Sequence, residues 1–218
     1  LNKRNVCFLA DEMGLGKSLT ALSSAIYNGN KKILIVCPAN LKSQWVAQCQ
    51  KWLKLLQFPV EIYNDKSPNL KSVADVFSES EGHCIQIVSN ASVQRFLSTH
   101  LSDDESSNQD LVIQRVSSIL DCILVDEVHL YSTGPKWTQF IQRLYESSEK
   151  QEHQLSTILV SGTPIRTNPE KELKAYFNCF KANVNSIILR RGLDSLSASV
   201  SLPPKTFHLR TFDMLPRA

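Results

Sequence analysis

Residues 5–26 read NVCFLADEMGLGKSLTALSSAI. An apolar run of strand length passes into a glycine-bearing turn, then into a helical period whose apolar face includes Leu19, Leu22 and Ile26. Strand, glycine turn and helix in that order make a phosphate-binding loop. Backbone N–H groups line the turn, glycines admit close approach, and the helix N-terminus adds its dipole. Gly14, Leu15, Gly16, Lys17, Ser18 and Leu19 would form that cradle. Lys17 would neutralise β- and γ-phosphates, and the Ser18 hydroxyl would hold Mg²⁺. The spelling is irregular, because counting back from Gly16-Lys17-Ser18 the usual pattern wants glycine where Asp11 stands, with Glu12 beside it. Taken alone, the stretch is also compatible with a chance glycine turn.

The rest of the chain repeats the same rhythm. KILIVCP (32–38), CIQIVSN (84–90), CILVDE (122–127) and STILVSGT (156–163) have the length and β-branched content of strands buried on both faces, with VEIYND (60–65) a weaker candidate. Between them, Leu41, Trp45, Cys49, Trp52, Leu53 and Leu56 recur at helical spacing. So do Trp137, Phe140, Ile141, Leu144 and Tyr145, and later Leu173, Tyr176, Phe177 and Phe180, the last group announced by Asn168-Pro169 as cap and first helical residue. Strands alternating with helices predict an α/β fold with a mostly parallel sheet covered on both sides. THLSDDESSNQD (99–110) breaks the rhythm and reads as an exposed, mobile acidic insertion, a solvated loop before it is a docking site. Past residue 186 the rhythm ends, and the tail reads as a departing segment.

Bulk properties set outer limits. The 218 residues suit one generous domain, 42% hydrophobic and 21% charged, and a net charge of +3 permits nucleic-acid binding without arguing for it. Six cysteines include no C-x-x-C pair, which excludes the common zinc spacings and fits a reducing, intracellular setting. No apolar run approaches a membrane span and no signal-peptide pattern opens the chain; a start at Leu1 suggests a piece of something larger.

Two more strand ends carry chemistry. Asp126-Glu127 follows an apolar run, so its carboxylates would open onto the crevice where α/β sheets bind ligands. Asp126 could hold Mg²⁺, and Glu127 could polarise an attacking water; a strand merely meeting solvent is the plain alternative. Ser161-Gly162-Thr163, before Pro164, would place hydroxyls beside that pair, or serve only as a turn.

Three strand ends bearing GKS, then DEVH, then SGTP resemble the first RecA-like lobe of superfamily-two helicase-like ATPases. Longer stretches narrow the resemblance to the Swi/Snf-like branch. DEMGLGKS is that branch's loop, Asp-Glu included. CPANLKSQWVAQCQKW carries its Pro and two Trp at 38, 45 and 52; SGTPIRTNPEKELKAYFNCF and LRRGLDSLSASVSLPPK are similar to its later passages. Departures are Val128 for Ala in the acidic box, LYST at 130–133 for a basic-polar run, Arg166-Thr167 for a polar pair, and the 99–110 insertion.

The resemblance implies a three-layer P-loop NTPase lobe over residues 1–186, with 187–218 leading toward a second lobe. It implies ATP and Mg²⁺ as ligands, with Lys17, Asp126, Glu127 and His129 catalytic, Ser18 and Asp126 on the metal, and Ser161, Gly162 and Thr163 coupling nucleotide state to lobe movement. It further implies a sequence-independent grip on double-stranded DNA phosphates by Pro38, Ala39, Asn40, Lys42, Ser89, Asn90 and Gly162. Trp45 and Trp52 could stack on bases, but their helical spacing favours the core. Arg190 and Arg191 read as a regulatory or DNA-facing pair, or as solvated charge. The function implied is a nuclear DNA translocase acting on chromatin, nucleosomes or other protein–DNA complexes. A strand-separating or DNA-repair motor, and a degenerate lobe that binds DNA without hydrolysis, remain as rivals.

Overall fold

A computed structural model describes residues 5–55, 59–63, 70–93, 106–130, 135–163 and 187–192. The elements run β1 (Asn5–Leu9), α1 (Lys17–Tyr27), β2 (Lys32–Cys37), α2 (Lys42–Leu55), β3 (Val60–Tyr63), α3 (Leu70–Glu79) and β4 (His83–Ser89). They continue with α4 (Ser106–Ile119), β5 (Cys122–Val125), α5 (Pro135–Lys150), β6 (Ser156–Val160) and β7 (Ile187–Leu189). Among the described residues seven strands form one sheet in the order β3-β4-β2-β5-β6-β1-β7, and every pairing is parallel.

Side chains that alternate along each strand divide the interior into two cores. On one face Ile33, Ile35, Ile85, Ile87, Leu124 and Ile158 pack under α1 and α2, which contribute Ala21, Leu22, Ala25, Trp45, Cys49 and Leu53. On the other, Leu34, Val36, Val88, Ile123, Val125 and Leu159 pack under α3, α4 and α5, where Phe77, Val116, Trp137, Phe140 and Leu144 are buried. Helices therefore cover both faces, as the alternation of apolar runs and helical periods predicts.

Three local readings change. The core stripe of α1 is Ala21, Leu22 and Ala25, with Leu19 and Ile26 only half-buried. The stretch 99–110 is not a loop throughout, because Ser106 to Asp110 opens α4. Its composition hid a helix that buries Ile113 and Val116, and Asp110 is engaged in an ion pair with Arg143 of α5. Ile187–Leu189 adds an edge strand to β1 beyond the point where the sequence rhythm fades; its apolar run of three residues is too short to read as a strand from sequence. The expected helix around Leu173–Phe180, its Asn168-Pro169 start, Leu56, residues 99–105, and Arg166-Thr167 lie outside the described residues. Among the described residues no helix is long and apolar enough to cross a membrane.

Candidate functional site

Because all strands are parallel, the segments that follow them emerge along one edge of the sheet. Its middle order β4-β2-β5-β6-β1 then decides which of them are neighbours. Ser89 and Asn90 follow β4, Pro38 to Lys42 follow β2, and Asp126 to His129 follow β5. Ser161 to Thr163 follow β6, and the glycine loop follows β1. The residues expected to act on nucleotide thus occupy three adjacent strand ends, and those expected to grip DNA occupy the next two, except Gly162, which follows β6.

The loop has an anchored base and an open tip. Gly14 (φ 87°) and Gly16 (φ 75°) take left-handed backbone that glycine adopts without strain, and a Cβ on either would meet nothing within 4 Å. Gly16 caps α1 with no side-chain hydrogen bond, so the helix's first N–H groups keep no side-chain competitor at that cap. Lys17 Nζ donates to the Glu12 carbonyl at 3.0 Å. Ser18 lies half-buried in the first helical turn, Leu15 and Leu19 are half-buried, and Met13 is 75% exposed.

The irregular Asp11 has a structural explanation. Its side chain is fully buried and accepts from the Arg191 backbone N–H at 2.7 Å, from Nε at 3.0 Å and from Nη2 at 2.5 Å. Burial opposes the charge, yet the Arg191 side chain, the backbone donor and the nearby Lys17 outweigh it and hold the carboxyl below its usual value of 3.8. Asp11 therefore turns into the protein, away from the open tip, and the carboxylate next to a polyanion site is already matched. The sign of the linkage follows: a depressed folded value gives stability that is present above the unfolded value and lost as pH falls through the folded one. The difference in urea midpoint between wild type and Asp11→Asn is expected to stay constant from neutral pH down to about 5 and to shrink below about 4. A difference that does not shrink in acid would remove the charge from this account.

Asp126 is 8% exposed. Its Oδ2 accepts from Trp45 Nε1 at 2.7 Å and its Oδ1 from the Glu127 N–H at 2.9 Å. Burial pushes this carboxyl up; the Trp45 and Glu127 donors and the charge of Lys17 pull part of the way back. Glu127 has φ 48°, a left-handed conformation unusual for a non-glycine residue. It begins the tight 3₁₀ turn Val128–Leu130, whose Val128 is buried in the core. His129 Nδ1 lies 2.7 Å from Ser161 Oγ and 3.2 Å from Glu127 Oε2. Ser161 Oγ also accepts the Thr163 N–H at 3.1 Å. At Gly162 an added Cβ would stand 3.2 Å from Met13 Cγ and 3.3 Å from Lys17 Nζ, so the missing side chain is what lets the turn lie against the loop lysine.

The arrangement brings together Lys17, Asp126, Glu127, His129, Ser161 and Gly162. A cation, two carboxylates and an imidazole gather beside a glycine loop, and the Ser18 hydroxyl and Asp126 carboxylate are hard oxygen ligands of the kind that suits Mg²⁺. Pro38, Ala39, Asn40 and Lys42 lie partly or fully exposed around a single 3₁₀ turn leading into α2; Asn90 is half-buried and Ser89, buried, bonds Ser92 at 2.8 Å. The long-range contacts of two residues, Trp45 and Arg191, escaped the sequence reading. Trp45 is a core residue, as its spacing implies, but it also holds Asp126. Trp52 is half-buried, bonded to Gln48 and covered by Lys51, a helix-surface arrangement. Arg191, taken as a regulatory or DNA-facing charge, has its guanidinium on Asp11, 180 positions away, a pairing no local pattern reveals; Arg190 is exposed.

Comparison with known proteins agrees with this geometry. Residues 1–182 match the model of the SNF2-related domain. The chain is 27% identical to the chromatin remodeling factor mit1 of Schizosaccharomyces pombe over 188 residues, covering 81% of this chain and 12% of that protein. It is 28% identical over 166 residues to a Caenorhabditis elegans homolog of SWI/SNF-related matrix-associated actin-dependent regulator of chromatin subfamily A-like protein 1, covering 75% of this chain and 20% of the relative. Its fold is similar to the Sulfolobus solfataricus SWI2/SNF2 ATPase core solved in complex with dsDNA, with TM-score 0.50 and 18% identity, over 85% of this chain and 40% of that one.

Proposed function

Because the chain belongs to the SNF2-related domain family, we propose that residues 1–186 form the first RecA-like lobe of an ATP-driven translocase on double-stranded DNA. In this reading residues 187–218 lead toward a second lobe of the same protein, and the work is done on nucleosomes or other protein–DNA complexes in the nucleus. The family supports an ATP-hydrolysing, helicase-like enzyme with a RecA-like fold. The finer role is a proposal, since the chain spans 12% and 20% of the two relatives' lengths.

The observation that carries the proposal is the contact between strand ends. The Ser161–Thr163 turn touches His129 on one side and lies against Lys17 on the other, bridging the acidic turn and the loop. Loop amides and the α1 N-terminus would bind the nucleotide's phosphates. Lys17 would leave the Glu12 carbonyl for the β- and γ-phosphates, and Glu127 would orient and deprotonate the attacking water. Ser18 and Asp126 would hold Mg²⁺, which when bound neutralises phosphate charge. His129 would pass the arrangement at Glu127 to Ser161 and so to the turn. Next along the edge, Asn40, Lys42, Ser89 and Asn90 would meet the DNA backbone, a site that carries no base-specific reading.

The test is ATP turnover of the full-length protein with and without duplex DNA. Duplex of any sequence is expected to raise turnover, and Lys17→Ala to abolish the DNA-stimulated part, a loss of about 10²–10³-fold for a phosphate-binding charge. Stimulation by single strands alone, or strand displacement from a forked duplex, would favour a strand-separating motor. Turnover that survives Lys17→Ala would place the chemistry elsewhere.

A further inference from the structure

We propose that Arg191 is a positioning residue for the phosphate loop, holding the loop's base from the edge strand so that the path of residues 189–191 sets nucleotide affinity. This rests on the nucleotide-binding role proposed above for the loop.

Three successive loop residues are tied to the last residue of β7, Leu189, and to Arg191 just beyond it. The β1–β7 ladder ends at Leu9 opposite Leu189. Beyond it, the Ala10 N–H donates to the Leu189 carbonyl at 2.7 Å and the Glu12 N–H to the Arg191 carbonyl at 3.0 Å. Between them Asp11 takes the Arg191 backbone N–H and both guanidinium donors. One residue thus supplies four hydrogen bonds to two loop residues. The Glu12 peptide then acts as a relay, since its N–H is held by Arg191 and its carbonyl receives Lys17 Nζ at 3.0 Å. Two hydrogen bonds separate Arg191 from the ammonium group that would meet phosphate.

The fork geometry matters more than the charge. Arginine reaches Asp11 Oδ2 through Nε and Nη2 together, an arrangement lysine cannot copy. Asp11 is fully buried, so without the guanidinium it must take up a proton or pull the loop base toward another donor. Either change moves Glu12 and, through it, Lys17. An exposed surface pair would have no such effect. Here the arginine side chain is 45% exposed and its partner 0%, so removing the arginine leaves the unmatched charge buried on the loop itself.

The experiment uses the full-length protein with Arg191→Ala, Arg191→Lys, Asp11→Asn, the Arg191→Ala/Asp11→Asn double variant, and Arg190→Ala as control. A fluorescent ADP titrated without metal gives affinity at a temperature where each variant is folded, and thermal unfolding is recorded alongside. Arg191→Ala and Asp11→Asn are each expected to weaken binding roughly tenfold, with Arg191→Lys in between. The double variant is expected to be no weaker than the worse single one, because both act through one contact. Arg190→Ala should bind as wild type. Should Arg191→Ala fail to fold, Arg191→Lys and Asp11→Asn decide the matter. Variants that melt earlier but bind ADP as wild type, or single losses that add in the double variant, overturn the proposal and leave Arg191 a structural clamp. Wild type that binds no ADP overturns the loop's proposed role instead.

Discussion

Glu127→Gln is expected to lower DNA-stimulated ATP turnover of the full-length protein by about 10²–10⁴-fold, the range for loss of a positioned general base. Nucleotide binding should stay close to wild type. The split follows from what the residue touches. Glu127 lies in a left-handed turn that the buried Val128 and the Asp126 contact hold in place. Its Oε2 is 3.2 Å from His129 Nδ1, and the side chain is 29% exposed. Glutamine has the same size and can still face His129, so the turn survives. What it lacks is the negative charge and the basicity needed to draw a proton from water. Lys17, Ser18, the glycine loop and Asp126 would be untouched, and these are the groups assigned to holding nucleotide. Binding of a fluorescent ATP analogue and steady-state turnover, measured on one preparation, separate the two quantities. Turnover within a few fold of wild type would mean that another group activates the water.

How much of this was legible in the sequence depended on how local each cause is. The strands announced themselves because a parallel sheet covered on both faces needs continuous apolar runs, and Ile33 to Cys37 is buried without a break. The helix α5 was equally plain, since Trp137, Phe140, Ile141, Leu144 and Tyr145 are all buried. Helix α4 was not, because its first residues are serine, asparagine, glutamine and aspartate, while the buried Ile113 and Val116 lie further along. The strand ends could be named from the chain, but their neighbour relations needed the sheet order, which no spacing encodes. It is this order that sets Ser161 between His129 and the loop. Trp45 shows the limit in another way: helical spacing explains its burial, while its second task at Asp126 depends on a contact 81 positions away. Asp11 stood out as a departure from the usual glycine and as part of the Swi/Snf-like spelling of the loop, but its partner did not, because Arg191 sits at the far end of the described chain.

Residues 1–218 alone are expected to hydrolyse ATP about 10³–10⁵-fold more slowly than the same residues within a protein that carries a second RecA-like lobe, because in this reading that lobe supplies the arginine that stabilises the transferring phosphoryl group. The described geometry gives the reason. All assigned groups stand along one edge of a single sheet, and Gly14 and Gly16 at the loop tip are exposed. A nucleotide seated there would be cradled from one side and open to water on the other. Positioned charges stabilise a transition state strongly only where water is excluded, so one wall gives binding without much acceleration. The available cations point the same way: in this reading Lys17 is assigned to the ground-state phosphates, and the guanidinium of Arg191 is committed to Asp11. The comparison is turnover at saturating ATP and duplex DNA for the isolated chain and for the full-length protein, after circular dichroism shows that the isolated chain is folded. Binding should weaken far less than turnover, since the loop is complete. Equal turnover would show that the first lobe carries its own transition-state cation, and the search for it would begin at Arg190 and Lys42, the one exposed and the other half-buried.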